Sequence, residues 1–234
     1  MFYFDLTYIL VVIGLILTMI ASTKLNSTYS KYARVPASSG MTGAQVAKRI
    51  LEANGIYGVV VQEIQGSLTD HYDPAKKVVN LSHDIYAGTS IASLGVAAHE
   101  CGHAIQDNLE YFPLRVRHAL VPVANIGSTL AWPMIIIGII LGAGAKVGGT
   151  LINIGIIAYS LAVLFQLVTL PVEYNASNRA REQLYQLGIV TEEEKAGVKK
   201  VLSAAALTYL ASAAAALLQL FRIILLTGGN RRNN

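Results

Sequence analysis

The chain holds a single cysteine, Cys101, among 234 residues, so no disulfide can form within it. Charge is equally scarce: Asp, Glu, Lys and Arg make up 14% of the residues, against about a quarter in soluble proteins. Residues 6–23, 119–145 and 147–172 carry none of the four. A helix crosses a bilayer with about 20 apolar residues. These stretches exclude an ordinary soluble domain and make the chain an integral membrane protein, mainly α-helical. No basic run is interleaved with aromatics, which argues against nucleic-acid binding. No basic segment precedes the first apolar run, and Ala21-Ser22-Thr23 is a feeble cleavage site. Residues 1–23 therefore read as an uncleaved transmembrane anchor rather than a signal peptide. The two central apolar segments lack any charge that would mark a polar pathway, which disfavours a transporter. There is no internal repeat and no low-complexity tract.

The charges that are present set a direction. Lys24, Lys31, Arg34, Lys48 and Arg49 follow the anchor before the first acid after it, Glu52. By the positive-inside rule the N-terminus lies outside and the next segment in the cytoplasm, giving a multi-pass protein of the cell membrane. Residues 24–119 then form the first part of a catalytic unit. Thr42 is placed to cap a helix from Gly43 to the Asn54-Gly55 stop. Val59–Ile64 reads as a strand, and Leu68–Tyr72 with Lys77–Leu81 as two short extended runs about the Asp73-Pro74 turn. Residues 120–171 form a transmembrane hairpin of two segments, about Val121–Leu141 and Leu151–Leu170, with Gly138 and Gly142 as a small-residue contact face. Arg115, Arg117, Arg179 and Arg181 flank it and return both ends to the cytoplasmic side. Residues 172–234 supply the second part of the catalytic unit: a helix to about Leu187, then a last helix opened by a Thr191/Glu194 capping box. That helix is apolar from Val201 to Leu226 but interrupted by Arg222. It is long enough to span, with Arg231 and Arg232 then outside. Its alanine-rich composition favours a helix packed on the catalytic unit and partly embedded.

Within the small-residue stretch Ile91–Ile105 stands His99-Glu100-Cys101-Gly102-His103. In a helix, histidines at i and i+4 point from one face and close on one metal ion, with the adjacent glutamate placed to take a proton from water. Cys101 faces away and reads as a small buried residue. A catalytic zinc takes three protein ligands and leaves one position for water. The longer motif with a third histidine is absent, since Gln106, Asp107 and Leu109 occupy that window. Asp107 and Glu110 would point parallel to the histidine pair rather than across the metal. Glu173 is the better candidate: an acid at the end of a membrane helix, an expensive place without a partner. The competing reading has Glu173 pairing with Arg179 or capping a helix. His71, His83 and His118 lack metal spacing and read as hydrogen-bonding, surface or interfacial residues.

These residues carry a resemblance. His99 through Asp107 with Ser93–Ala98 before it, the run Pro171–Ser177, and the stretch His71–Pro74 through Asn80–Ser82 resemble the YugP-like neutral zinc metallopeptidases of bacterial membranes, over nearly the whole length. More distantly, the order of motif, hairpin and glutamate is similar to HtpX-type membrane peptidases. The resemblance implies a gluzincin-like α+β catalytic unit with a short β-hairpin or sheet, Zn2+ held by His99, His103 and Glu173, and Glu100 as general base. It also shows departures: Ser177 stands where HtpX-type chains place an aspartate, and Asn175 where YugP-like chains often carry one. Asn175 or Asn178 would then take over the hydrogen bond that a carboxylate normally gives a ligating histidine. Arg179, Tyr174 and Tyr209 are candidate oxyanion donors. The expected substrate is a polypeptide, membrane-bound or membrane-proximal, docking by strand addition on the 68–81 hairpin. The alternative is a catalytically inactive, zinc-stabilised membrane adaptor or holding protein.

Overall fold

A computed structural model describes residues 5–142 and 144–229. The first four residues and the Arg231–Arg232 tail lie outside them. The chain is mainly helical, in the order α1 (Tyr8–Tyr32), α2 (Gly43–Ala53), β1 (Val60–Ile64), β2 (His71–Asp73), β3 (Val78–Ser82), α3 (His83–Tyr86), α4 (Ile91–Asn108), α5 (Phe112–Ile140), α6 (Lys146–Gln186) and α7 (Glu192–Gly229). By length and composition α1, α5, α6 and α7 are each long and apolar enough to cross a membrane. The last helix therefore meets the spanning criterion that the Arg222 interruption left open.

The chain divides into two compact units. The first comprises the described parts of Met1–Ala21, Val116–Leu170 and Tyr209–Asn234. Its α5–α6 hairpin is held by close backbone approach, to which Gly138 of the expected Gly138/Gly142 pair contributes its Cα face and Gly142 only its carbonyl. Gly142 sits past the end of α5 with φ +90°, a conformation glycine adopts without strain, and terminates the helix. The contact face is Gly127, Gly138, Gly148 and Gly155: a methyl on them would stand 2.7, 2.7, 2.2 and 2.9 Å from the carbonyl oxygens of Ala158, Gly148, Gly142 and Ala131. A stripe of small residues on both helices thus extends the short motif beyond Gly138.

The second unit comprises Ser22–Arg115 and Pro171–Thr208. Its α2 begins with a complete capping box, Thr42 Oγ1 accepting from Gln45 N and Gln45 Oε1 from Thr42 N. It buries Val46, Ala47, Ile50 and Leu51 against α4. The sheet has the order β1-β3-β2, with β1 parallel and β2 antiparallel to β3. The hairpin is shorter than its sequence indicates. Leu68 has φ 55° and lies outside β2, and Lys77 has φ 54° in a turn where the Asp73 carboxylate accepts from Ala75 N and Lys76 N. A ladder crosses the sheet: Gln62 Nε2 donates to Asn80 Oδ1, and Asn80 Nδ2 to His71 Nε2, whose Nδ1 donates to Thr69 O. His71 is thereby fixed as a hydrogen-bonding residue, and His83 pairs at 2.6 Å with Glu63, which raises its pKa.

From α6 the residues Val172, Ala176, Ala180 and Leu184, one per turn, are fully buried. At the start of α7 the Glu194 carboxylate accepts from Thr191 N with one oxygen and from Ser38 N and Oγ with the other. This anchors the helix to the segment ahead of α2.

Candidate metal centre

α4 is capped by Ser90, whose hydroxyl accepts from Ser93 N, and is buried along most of its length. It ends at Asn108 with Leu109 as C-cap; Glu110 then takes φ 50° and Tyr111 N donates to Gln106 O, the closing hydrogen bond of a Schellman-type cap. Inside it the i,i+4 spacing sets the rings of His99 and His103 edge to face, centroids 4.9 Å apart. The other wall is α6, and Gly102 lets it approach. A methyl on Gly102 would stand 2.5 Å from Ala176 O. Cys101, on the opposite face, has its thiol near Ala47 O and is fully buried; burial, then the nearby Glu100, push its pKa far up, so it is not a nucleophile.

α6 presents two adjacent stripes. One is the apolar stripe beginning at Val172; the other, one residue on, carries Glu173 and Ser177. Glu173 Oε2 lies 3.2 Å from His99 Nε2 and 3.6 Å from His103 Nε2. The three candidate ligand atoms lie within 4.8 Å of one another. Two ligand atoms each about 2.1 Å from a tetrahedral zinc stand about 3.4 Å apart, so these separations fit such an ion with little movement. Glu173 is 1% exposed and His103 8%, and the His99 side chain is 13% exposed.

The back side of each ring decides what its front offers. Gln106, fully buried, donates through Nε2 to Val172 O at 2.8 Å and to Asn175 Oδ1 at 3.0 Å. A backbone carbonyl only accepts, so the amide orientation is fixed and Gln106 Oε1 faces His103 Nδ1 at 3.0 Å as an acceptor. His103 Nδ1 therefore carries a proton, which leaves Nε2 as the ring atom that faces Glu173 and could take a metal. His99 Nδ1 meets Ser177 Oγ at 3.1 Å, a hydroxyl able to take the complementary role. Two imidazole Nε2 atoms and a carboxylate oxygen thus converge in a buried place, a ligand set that fits a borderline-soft cation such as zinc.

The residues behind the rings are not those the sequence indicated. Ser177 and Gln106 touch the imidazoles, whereas Asn175 acts one step back, accepting from Gln106 and from Arg179 Nε at 2.8 Å. Asn178 pairs with Arg181 instead. The role of Gln106 was not read from the sequence; its signal was a polar residue three positions after His103 in an otherwise apolar helix. The Glu173 carboxylate turns to the two histidines, while Arg179 Nε donates to Asn175 Oδ1. Glu100 is buried at 8% exposure beside His99, and stands apart from the cluster of three. Asp107 accepts from Tyr72 Oη and Lys77 Nζ, each at 2.6 Å, tying β2 and its turn to α4. Burial and this hydrogen bond hold the Tyr72 phenol protonated well above its ordinary pKa. Glu110 pairs with Arg115. Both acids are thus occupied away from the cluster, as their position along α4 indicated. Of the candidate oxyanion donors, Tyr174 is 46% exposed and Tyr209 belongs to the other unit.

The profile of the family described as "Putative neutral zinc metallopeptidase" matches residues 7–228. The chain is 45% identical over 225 residues to the "Putative membrane protease YugP" of Bacillus subtilis (strain 168), covering 96% of this chain and 98% of that protein. No solved structure matches.

Proposed function

Because this chain belongs to the neutral zinc metallopeptidase family, we propose that it is a membrane-bound zinc-dependent endopeptidase with a gluzincin-type ligand set. The observation that carries the reading is the convergence of His99 Nε2, His103 Nε2 and Glu173 Oε2, with His103 held in the ligating tautomer by Gln106. These three residues would hold the ion. When bound there, zinc supplies a Lewis acid for the scissile carbonyl and makes water acidic enough to ionise near neutral pH.

The rest is done by the chain. Glu100, next to His99 on α4 and outside the trio, accepts the proton of the attacking water and passes it to the leaving amine nitrogen. Arg179 is the favoured candidate oxyanion donor, because hydrogen bonds through Asn175 and Gln106 link it to His103. The sheet order leaves β2 at an edge, and the Tyr72–Asp107 bond ties that edge to α4 one turn past His103. An extended substrate adding to this edge would be presented along the motif helix. The positive-inside pattern supports a site on the cytoplasmic side, and membrane or membrane-proximal polypeptides are the proposed substrates.

The test is Glu100→Gln in the full-length protein. It should keep about one zinc per chain while peptide hydrolysis falls by at least 100-fold. Retained hydrolysis would sink the reading. Wild-type protein that binds zinc but hydrolyses no peptide would instead favour the adaptor, in which the same three residues act structurally.

A further inference from the structure

Outside the metal centre, the second unit carries a groove of about 570 Å³ between α1 and α7. From α1 it is lined by Lys24, Ser27, Thr28 and Lys31, spaced i, i+3, i+4 and i+7, which is one helix face, and by Tyr32 at the helix end. From α7 come Lys200 and Ser203, with Ala204 and Leu207 on the following turn. Three lysines, three aliphatic hydroxyls and the Tyr32 phenol therefore line one cavity whose lining contains no acid. Among the described residues none of the three lysines forms an ion pair; Lys31 only approaches the Tyr32 ring, at 5.6 Å from its centroid.

The position in the sequence explains why such a groove would exist. On α1, Lys24 is the first charge after the uncharged run 6–23; on α7, Lys200 is the last before the uncharged run 201–221. Each helix changes from polar to apolar at this groove. A ligand seated there meets cations and hydroxyls at one end and helix faces suited to hydrocarbon at the other. Lysine side chains clustered where helices enter a bilayer attract phosphate headgroups, each contributing roughly 1 kcal/mol. Serine and threonine hydroxyls donate to phosphate oxygens.

We propose that this groove binds the phosphate headgroup of an anionic phospholipid, seating the lipid at the polar end of α1 and α7. The site is independent of the metal and of the proposed peptidase activity.

The test uses full-length protein in detergent, with bound lipid counted by native mass spectrometry after exposure to phosphatidylglycerol or phosphatidylcholine. Phosphatidylglycerol should be retained preferentially. The variant K24Q/K31Q/K200Q should lose it by roughly 100-fold, about fivefold per lysine, while K24R/K31R/K200R keeps it. The charge-matched variant K48Q/R49Q/K76Q, altered away from the groove, should bind as wild type. Equal loss in that control would overturn the site in favour of diffuse attraction. Inorganic phosphate that displaces the lipid at equal concentration would overturn the lipid assignment, as would equal retention of phosphatidylcholine. Far-ultraviolet circular dichroism identical to wild type establishes that each variant is folded.

Discussion

Gly102→Ala tests whether the approach of two helices builds the metal centre. The added methyl would stand 2.5 Å from Ala176 O, 3.0 Å from its carbonyl carbon and 3.1 Å from its Cα. All three are backbone atoms, so no side chain can swing aside. Ordinary contact begins at 3.4 Å, and the helices must part locally by about 0.9 Å, the difference from 2.5 Å. Gly102 lies three residues after His99, and Ala176 three after Glu173, so the parted contact is one turn from the converging atoms. Metal sites tolerate displacements of about 0.2 Å. Overpacking costs about 1–3 kcal/mol, but replacing glycine by alanine in a helix returns about 1 kcal/mol. Global stability should therefore fall by only about 0–2 kcal/mol, while zinc affinity falls by at least about 10-fold, the scale seen when the support of a ligand is lost. Zinc–chelator competition, alongside thermal melting of the metal-free protein, separates the two effects. Gly95→Ala is the control: on the same helix its methyl meets nothing nearer than Val201 Cγ1 at 3.9 Å, so it should leave affinity unchanged and stabilise slightly. Native zinc affinity in Gly102→Ala would refute the reasoning.

Two further outcomes concern the same centre. Ser177→Ala and Gln106→Leu each remove the partner of one imidazole. Each should weaken zinc by about 10–100-fold, and Gln106→Leu should also destabilise the fold by about 1–3 kcal/mol because Val172 O loses its donor in a buried place. Equal effects of both variants on stability would argue against the directional role of Gln106. Removing zinc with a chelator should lower the melting temperature, since free zinc at a thousand times Kd stabilises the native state by about 4 kcal/mol; a melting temperature indifferent to zinc would count against any metal in this place.

How much of this was legible in the sequence depended on whether the determining contact was local. Helix caps and the i,i+4 histidine pair are set within one turn, and Thr42, His99 and His103 announce themselves by spacing. The long charge-free runs likewise announce apolar helices, since a bilayer needs only length and composition. Contacts between helices were harder. Nothing in the one-dimensional pattern separates Gly142, which ends α5 with positive φ, from Gly127 or Gly155, which meet a facing carbonyl. The parallel pairing of β1 with β3 was also hidden, because strand patterning gives faces and not partners. The continuity of α6 through Pro171 was not expected either: proline removes only one hydrogen bond, to the carbonyl of Leu167, and the helix runs on around it. The residues behind the histidines were misread for a related reason. Asn175 and Asn178 were favoured by chemical likeness to a carboxylate, whereas the choice is made by which helix face they occupy. Ser177 follows Glu173 by one turn and so shares its face; Asn178 does not.

That face carries a physical argument for a cation independent of any family likeness. A carboxylate 1% exposed faces two imidazole nitrogens, with the Nδ1 of His103 held as a donor by the network from Arg179 through Asn175 and Gln106. Burying a carboxylate with no positive charge beside it costs several kcal/mol. A proton on an imidazole supplies one such charge; a divalent ion supplies two while bonding all three atoms. The apolar stripe Val172, Ala176, Ala180 and Leu184 locks α6 into the core of the second unit and so holds Glu173 in this position whether or not the ion is present. The core thus stabilises this arrangement ahead of the ion, and the binding energy of the ion returns to the fold as stability. Metal binding and the integrity of α4 against α6 are therefore two readings of one equilibrium, which is why the Gly102 contact, with no ligand atom of its own, should control both.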